Sequence, residues 1–193
     1  HQNQGGTPIS DGKPDMLLWM DVETTGLDPG TDVLLEIGMR CTSMDASETI
    51  DTLHRIISPD KGRLTIGERK LTAFEYHAAN GLLREVLEAY PSCDRRSAAD
   101  MAGDFVAGLA QRFTLHPAGS NVAFDLDWLQ RLCGSLPVHY RRLDLTALRL
   151  AWRTVGRDPY GGGRTSTHRV MDCIDRDIRD YVAMLTRIKG GVE

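Results

Sequence analysis

Two carboxylates separated by one residue stand at the end of an apolar segment near the start of the chain. Asp21 and Glu23 follow the run MLLWM at 16–20 and precede the turn sequence TTG at 24–26. Because side chains alternate between the two faces of a β-strand, both carboxylates are expected on one face. Two like charges side by side repel each other, and a divalent cation with oxygen ligands is the natural partner that offsets this repulsion. The segment therefore predicts one part of a metal site.

An Asp-x-Glu pair alone is weak evidence, since Asp and Glu together account for 27 of the 193 residues. A solvent-exposed strand end is the alternative interpretation. Two acidic positions far downstream, Asp125 and Asp172, strengthen the metal interpretation. Asp125 stands in the predicted first turn of a helix, where a carboxylate also interacts favourably with the helix dipole. Asp172 lies four residues after His168, so the two side chains would share one helix face.

The composition is that of an ordinary globular domain, with 41% hydrophobic and 26% charged residues. Residues 1–15 are polar and rich in Gly and Gln, and we expect a tag remnant or disordered leader there. Residues 16–189 are expected to form a single domain. No apolar segment approaches the length of a membrane span and no secretory signal is recognisable, so no membrane partner is expected.

The cysteines and the net charge restrict the function further. The four cysteines are widely spaced and form no CxxC pair, so neither a structural zinc site nor a disulfide framework is indicated. A reducing, cytoplasmic setting is expected. The formal net charge of −4 argues against a protein that coats long nucleic acids. It does not exclude an enzyme for short substrates, because bound cations would invert the charge of an acidic cleft.

A predicted order of strands and helices must position these residues. Turn sequences bound the strands, Pro91 ends the first helix, and the pair Ser97 and Asp100 marks the start of the second. Three strands followed by alternating helices and strands indicate an α/β domain with a mixed sheet. A loop at 158–164 with three consecutive glycines precedes the last helix. The predicted strands are 16–21, 33–42, 49–57, 117–122 and 138–143, and the predicted helices are 71–89, 97–113, 125–133, 145–155 and 168–189.

Five motifs resemble those of the DEDDh family of 3′–5′ exonucleases, and within that family the oligoribonucleases. The resemblance extends over nearly all of residues 16–185. It implies an RNase H-like exonuclease fold, an α/β domain with a mixed five-stranded sheet flanked by helices. The motifs are DVETTGL at 21–27, HAANGLL at 77–83, NVAFD at 121–125, HYRRLD at 139–144 and HRVMD at 168–172.

The resemblance also implies a reaction, the hydrolysis of phosphodiester bonds with two Mg²⁺ or Mn²⁺ ions. Its metal ligands would be Asp21, Glu23, Asp125 and a fourth acid, for which Asp172 is the preferred candidate. Two such ions about 3.5–4 Å apart activate the attacking water and stabilise the leaving oxygen. A histidine is suited to proton transfer near neutral pH, and by the resemblance His168 would take the proton of the water.

The substrates implied are short single-stranded RNA molecules or dinucleotides. By the resemblance, Leu27 would insert between the bases of a dinucleotide and His77 would lie near the substrate. Tyr140 and Arg141 would hold the 5′ end, each contributed by the partner subunit of a homodimer. The remaining substrate contacts are assigned to Asn121 and Thr146.

Two positions depart from the family pattern. The fourth acid normally follows the histidine by five residues, but here that position is Cys173 and Asp172 comes one residue earlier. One residue corresponds to a rotation of about 100° on a helix. Either a shifted helix start lets Asp172 act as ligand, or Cys173 is a soft ligand that favours Mn²⁺ or Zn²⁺, or one metal is held weakly. In addition, Asn121 replaces a serine that grips the terminal 5′ phosphate in oligoribonucleases.

These departures leave two alternatives to an oligoribonuclease-like enzyme. One is a broader DEDDh exonuclease that acts on DNA or on longer RNA. The other is a catalytically impaired homologue that binds nucleotides. The three glycines at 161–163 would let the histidine loop move as substrate binds, or else belong to a disordered surface loop.

Overall fold

The computed structural model of the chain describes residues 12–59, 71–89, 93–157 and 167–190. Most of the predicted leader, Pro91 and the glycine-rich loop lie outside the described residues. Within the described ranges, no helix has the length and apolar character needed to cross a bilayer. The elements are β1 (Asp15–Thr24), β2 (Leu34–Ser43), β3 (Thr49–Ile56), α1 (Leu71–Ala79), α2 (Leu82–Glu88), α3 (Arg95–Ala110), β4 (Thr114–Gly119), α4 (Val122–Cys133), β5 (Leu143–Asp144), α5 (Leu145–Thr154) and α6 (Val170–Gly190).

The strands form one mixed sheet in the order β3-β2-β1-β4-β5. The first three strands are antiparallel neighbours, while β4 is parallel to both β1 and β5. The sheet confirms the predicted mixed five-stranded architecture. Each of the first three predicted strands is present with its ends shifted by at most three residues.

The central strand β1 is covered on both faces. Leu18 and Met20 belong to the cluster that includes residues of α3 and α4, whereas Leu17 and Trp19 pack with residues of α5 and α6. Burial on both faces explains why the strand is a continuous apolar run rather than an alternating pattern. Asp21 follows Trp19 at an interval of two, so it lies on the face covered by α6.

Most predicted elements differ in their bounds by up to three residues, among them the strand predicted at 117–122, which is β4. Three differences concern the division, the cap or the length of an element. The helix predicted at 71–89 is two helices, because Gly81 adopts φ 84° between them, a conformation that glycine tolerates best. Asp94, and not Ser97, caps α3, since its side chain accepts a hydrogen bond from the Ser97 amide. The strand predicted at 138–143 is reduced to β5, and Asp144 caps α5 through the Thr146 amide.

Helix α6 approaches the sheet closely at Gly38. This glycine is the cross-strand partner of Asp21, and a Cβ atom placed there would lie 2.9 Å from Cγ2 of Val170. The missing side chain therefore lets the first turn of α6 lie against the sheet directly beside Asp21. A larger residue would move the helix away from the carboxylate.

An ion pair with the buried Glu36 fixes the start of α6. Arg169 Nη2 donates to Oε1 of Glu36 on β2 at 3.0 Å and to Oε2 of Glu85 on α2 at 2.8 Å. The Val170 amide donates to Oε2 of Glu36 at 3.3 Å. Since Glu36 is almost fully buried, these bonds set the position of the helix start relative to the sheet.

Candidate active site

Three ligand-type side chains meet where β1 passes beneath α6. One oxygen each of Asp21 and Glu23 and the sulfur of Cys173 all lie within 4.8 Å of one another. The interval of two residues on β1 directs the two carboxylates to the same face, as the sequence predicts. Cys173 reaches them from the first turns of α6, which the close contact at Gly38 brings near the strand.

Asp125 joins this group from α4. Its Oδ1 accepts a hydrogen bond from the Val22 amide at 3.0 Å, and its side chain is buried. The ladder between β1 and β4 ends at Trp19, so the Val22 amide beyond it is available to a side chain. The hydrogen bond carries the Asp125 carboxylate to the strand segment that bears Asp21 and Glu23. We call Asp21, Glu23, Asp125 and Cys173 the acidic group.

The pKa values of the three carboxyls in the acidic group lie well above their ordinary range. Burial raises the pKa of Asp21 strongly, and the nearby charges of Asp125, Glu23 and Asp177 add to the effect. Burial, followed by the charge of Glu36, raises the pKa of Glu23 from 4.5 to about 7. Burial likewise raises the pKa of Asp125 from 3.8 to about 8. Such a cluster of buried carboxyls is short of positive charge, and a bound cation would reverse these shifts.

The residues present fit a divalent cation. Oδ2 of Asp21 is buried and has no hydrogen-bond partner within the described part of the chain. An unpaired buried oxygen is unfavourable unless a proton or a cation occupies the space next to it. Hard carboxylate oxygens suit Mg²⁺ and Mn²⁺, while the Cys173 sulfur adds one softer donor. Burial raises the pKa of this thiol to about 12, so its thiolate requires a neighbouring cation.

The structure places Asp172, which the sequence favours as the fourth ligand, outside the acidic group. Asp172 is exposed, and its Oδ2 accepts a hydrogen bond from Oγ1 of Thr167 at 2.6 Å. It thus stabilises the first turn of α6, where a negative charge also interacts favourably with the helix dipole. Because α6 begins at Val170 in regular geometry, the rotation of about 100° per residue directs Cys173 to the acidic group and Asp172 to solvent.

A cavity of about 770 Å³ adjoins the acidic group at the end of β1. This volume lies within the range of small-molecule sites, and most of its lining is apolar. Leu27 stands at its edge with 82% of its surface exposed. Among the predicted site residues, those that line it are Glu23, Leu27, His77 and His168, joined by Thr24, Thr25, Thr72, Tyr76 and Phe124.

His77 is a buried histidine between α1 and β1. Its Nε2 donates to the Thr24 carbonyl at 3.0 Å and lies 3.8 Å from Oε2 of Glu23. Burial lowers the pKa of His77, so the ring is neutral and carries its proton on Nε2. Nδ1 is buried and has no hydrogen-bond partner among the described residues. The structure therefore places His77 in the cavity wall, where it fixes the strand end that carries Glu23.

The other predicted substrate residues fall into two groups. The first group is Asn121 and Thr146. The backbone amide of Asn121 donates hydrogen bonds at 3.1 Å to Oγ1 of Thr146 and to Oδ1 of Asp144, so this group joins the starts of α4 and α5. The second group lies on the segment before β5 and does not line the cavity. Its Tyr140 is 72% exposed, and the Arg141 guanidinium lies 5.4 Å from the centre of the tyrosine ring.

Sequence reasoning did not find a buried ion network beneath the acidic group. Asp177 is 3% exposed and accepts hydrogen bonds from Oγ of Ser120 at 2.7 Å and Nη2 of Arg149 at 2.8 Å. Arg149 also bonds Asp180, and the network connects α5, α6 and the end of β4. The one available signal was the interval of four between Cys173 and Asp177, which places both on one face of a helix.

Comparison with protein-family models gives no match. Among relatives by sequence, the oligoribonuclease of Mycobacterium sp. (strain KMS) is 30% identical over 172 residues, which cover 86% of this chain and 78% of the relative. The oligoribonuclease of Mycobacterium tuberculosis (strain ATCC 25177 / H37Ra) is also 30% identical, over 175 residues, with coverage of 86% and 78%.

Solved structures with a similar fold include exonuclease I. The E. coli enzyme in complex with a 5cy-dT13 oligonucleotide superposes with a TM-score of 0.66 and 15% identity, covering 91% of this chain and 41% of that one. Exonuclease I from Methylocaldum szegediense gives a TM-score of 0.52 and 18% identity, with coverage of 88% and 39%. At these identities the likeness concerns the fold alone, and it confirms the predicted RNase H-like exonuclease fold.

Proposed function

Because the chain belongs to the oligoribonuclease family and is a 3′–5′ exonuclease, we propose that it hydrolyses short single-stranded RNA, down to dinucleotides, to 5′-mononucleotides. The observation that carries the proposal is the position of the cavity. Glu23 of the acidic group and the exposed side chain of Leu27 both line it. A phosphodiester bound at the acidic group would therefore have its bases within the apolar part of the cavity.

We assign Asp21, Glu23 and Asp125 as the carboxylates that hold two divalent cations, with Cys173 at the fourth position. Bound Mg²⁺ or Mn²⁺ would lower the pKa of a bound water and stabilise charge on the leaving oxygen. His168, which lines the cavity, accepts the proton of the attacking water. The buried carboxyls release their protons when cations bind, so metal affinity increases with pH.

The substrate contacts follow from the surroundings of the cavity. Leu27 presents an exposed apolar side chain that inserts between two bases, and His77 forms the wall beside the reacting end. Asn121 and Thr146 lie together at two helix starts and contact the terminal phosphate. Tyr140 lies on a separate exposed surface, next to Arg141, which supports the assignment of both to the site of a partner subunit in a homodimer.

We also assign the protein to the cytoplasm. In the structure all four cysteines are free thiols, which is compatible with a reducing compartment.

Rates on substrates of different length test the proposal. Purified protein is incubated with Mg²⁺ or Mn²⁺ and a ribodinucleotide, a heptamer RNA, a 24-nucleotide RNA and DNA of the same sequences. We expect kcat/KM to be higher for the dinucleotide than for the longer substrates, and higher for RNA than for DNA of the same sequence. Asp21→Asn is the inactive control, since it removes a carboxylate of the acidic group. Degradation of the long DNA as fast as the dinucleotide would refute the substrate assignment.

Cys173 favours a second candidate function, nucleotide binding with little hydrolysis. Its thiol replaces a hard oxygen ligand, which weakens Mg²⁺ binding. Cys173→Asp restores a carboxylate at this position, and Cys133→Ser is a matched control on α4. A gain of ~100-fold in the Mg²⁺-supported rate from an almost inactive wild type would favour this candidate. Robust wild-type activity with no gain would favour the enzyme.

A further inference from the structure

His168 adopts a backbone conformation that needs support. Its φ is 51°, in the left-handed region, which is unfavourable for a residue with a side chain. The residue lies just before α6 and lines the cavity beside the acidic group. A histidine in this conformation directs its ring differently from one in a helix or strand. The orientation of the imidazole therefore depends on whatever holds this conformation in place.

Asn80, at the end of α1, binds the backbone carbonyl groups before and after the α-carbon of His168. Its Nδ2 donates to the carbonyl oxygens of Thr167 and His168, each at 2.8 Å. Its Oδ1 accepts from the Leu82 amide at 3.0 Å, in the first turn of α2. The Asn80 side chain thus donates both of its hydrogens to residues 167 and 168, which we call the histidine segment, and accepts a hydrogen bond from α2 with its oxygen. The histidine segment is thereby fastened to the turn between α1 and α2.

Tyr76 packs against the imidazole itself. The ring centres of Tyr76 and His168 are 4.5 Å apart, with an angle of 32° between the ring planes. Tyr76 precedes Asn80 by four residues, so both side chains project from the same side of α1. Tyr76 is 51% exposed and lines the cavity. The ring contact restricts rotation of the histidine side chain, a freedom that the hydrogen bonds from Asn80 leave open.

We propose that Asn80 and Tyr76 are positioning residues that hold His168 in the orientation required of the general base. The proposal rests on the proposed function, because it assumes that His168 takes the proton of the attacking water. A general base acts only within hydrogen-bond reach of that proton and contributes about 10²–10⁴-fold to the rate. A displacement of about 1 Å is enough to lose roughly 100-fold. Neither residue touches the reacting atoms in this assignment; both act through His168.

Asn80→Asp is the most selective test of the backbone contacts. Aspartate has nearly the same shape and keeps an oxygen for the Leu82 amide, but it has no hydrogens to donate to the Thr167 and His168 carbonyls. We expect kcat on a ribodinucleotide to fall about 10–100-fold with KM changed by less than about threefold. Gln111→Glu, an exposed residue after α3, is the charge-matched control.

Two variants of Tyr76 test the ring contact. Tyr76→Phe keeps the ring and should retain kcat within about twofold, whereas Tyr76→Leu removes the ring and should lower kcat about tenfold. A change confined to KM in Tyr76→Leu would mean that the ring binds substrate instead, and would overturn its role as a positioning residue. Circular dichroism and melting temperature verify that each variant is folded.

A double-mutant cycle with His168→Ala decides whether the residues act through the histidine. Asn80→Asp should lower kcat in the wild-type background but have little further effect once His168 is alanine. Additive losses would refute the proposal.

A measurement without metal or substrate separates this inference from the proposed function. Amide hydrogen exchange of the peptide that contains His168 should become faster in Asn80→Asp than in wild type. If wild type hydrolyses no oligonucleotide but exchange still accelerates, the proposed function fails while the structural part of the inference holds. Unchanged exchange together with unchanged kcat in Asn80→Asp would overturn the inference alone.

Discussion

The raised pKa of Glu23 has a consequence for the stability of the metal-free protein. Burial and the charge of Glu36 shift this pKa from 4.5 to about 7. A carboxyl with a higher pKa in the native state than in the unfolded state keeps its proton up to a higher pH when the protein is folded. The native state then binds more protons than the unfolded state between the two values. The free energy of unfolding must therefore fall as pH rises through this window.

The magnitude follows from the two pKa values. The interval from 4.5 to about 7 corresponds to about 3 kcal/mol, at about 1.4 kcal/mol per pH unit. Roughly 2–3 kcal/mol of this should appear between pH 5 and pH 8. Asp21 and Asp125 have raised pKa values and act in the same direction. His77 acts in the opposite direction below its ordinary pKa of 6.5, because burial lowers its pKa.

Glu23→Gln isolates the contribution of one carboxyl. Urea unfolding followed by circular dichroism, in EDTA at pH 5, 6, 7 and 8, gives the free energy of unfolding for wild type and variant. The variant should become more stable relative to wild type by roughly 2–3 kcal/mol from pH 5 to pH 8. The contribution of His77 is common to both proteins and cancels in this difference. Addition of Mn²⁺ at pH 8 should stabilise wild type more than Glu23→Gln.

Two results would refute this reasoning. One is a stability difference between Glu23→Gln and wild type that does not change with pH in EDTA. The other is equal stabilisation of both proteins by Mn²⁺, which would mean that Glu23 holds no cation. The first would show that Glu23 is ionised at low cost, and therefore that the acidic group is more solvated than its burial indicates.

Three further substitutions test other parts of the structure. Gly38→Ala should destabilise the fold by about 1–3 kcal/mol in urea unfolding, since its Cβ would meet Val170 at 2.9 Å; an unchanged midpoint would show that α6 shifts without penalty. Arg149→Met should cost about 2–3 kcal/mol at pH 7, because the buried Asp177 loses its partner at 2.8 Å and keeps Arg176 at 3.2 Å; a fully stable variant would contradict the buried ion pair. Asp172→Asn should leave Mn²⁺ affinity, measured by calorimetry, within about twofold, since this side chain bonds Thr167 and lies outside the acidic group; a tenfold loss would restore it as a ligand.

The sequence determined most of the fold and three of the four members of the acidic group, Asp21, Glu23 and Asp125. The apolar run before Asp21 predicts a strand buried on both faces, and the interval of two predicts that Glu23 shares the face of Asp21. Turn residues and helical periodicity located the other strands and helices within a few residues, with two exceptions: the strand predicted at 138–143 is reduced to two residues, and the helix predicted at 71–89 is two helices. These features depend on near neighbours in the chain, so the sequence expresses them directly.

The tertiary structure alone decided which side chain completes the acidic group. The sequence left Asp172 and Cys173 as competing ligands, because a helix shifted by one residue exchanges their directions. The contact of Val170 with Gly38 and the bonds from Arg169 to Glu36 fix the rotation of α6. These partners lie more than 100 residues apart in the sequence, so no local sequence pattern predicts that they are in contact.

The same reason applies to the support of His168 by Asn80 and to the ion pair of Arg149 with Asp177. The sequence alone supplied the chemical types of these residues. Their hydrogen bonds arise because α1, α5 and α6 pack at particular angles around the sheet. Packing of whole elements sets such contacts, and so only the folded chain determines them.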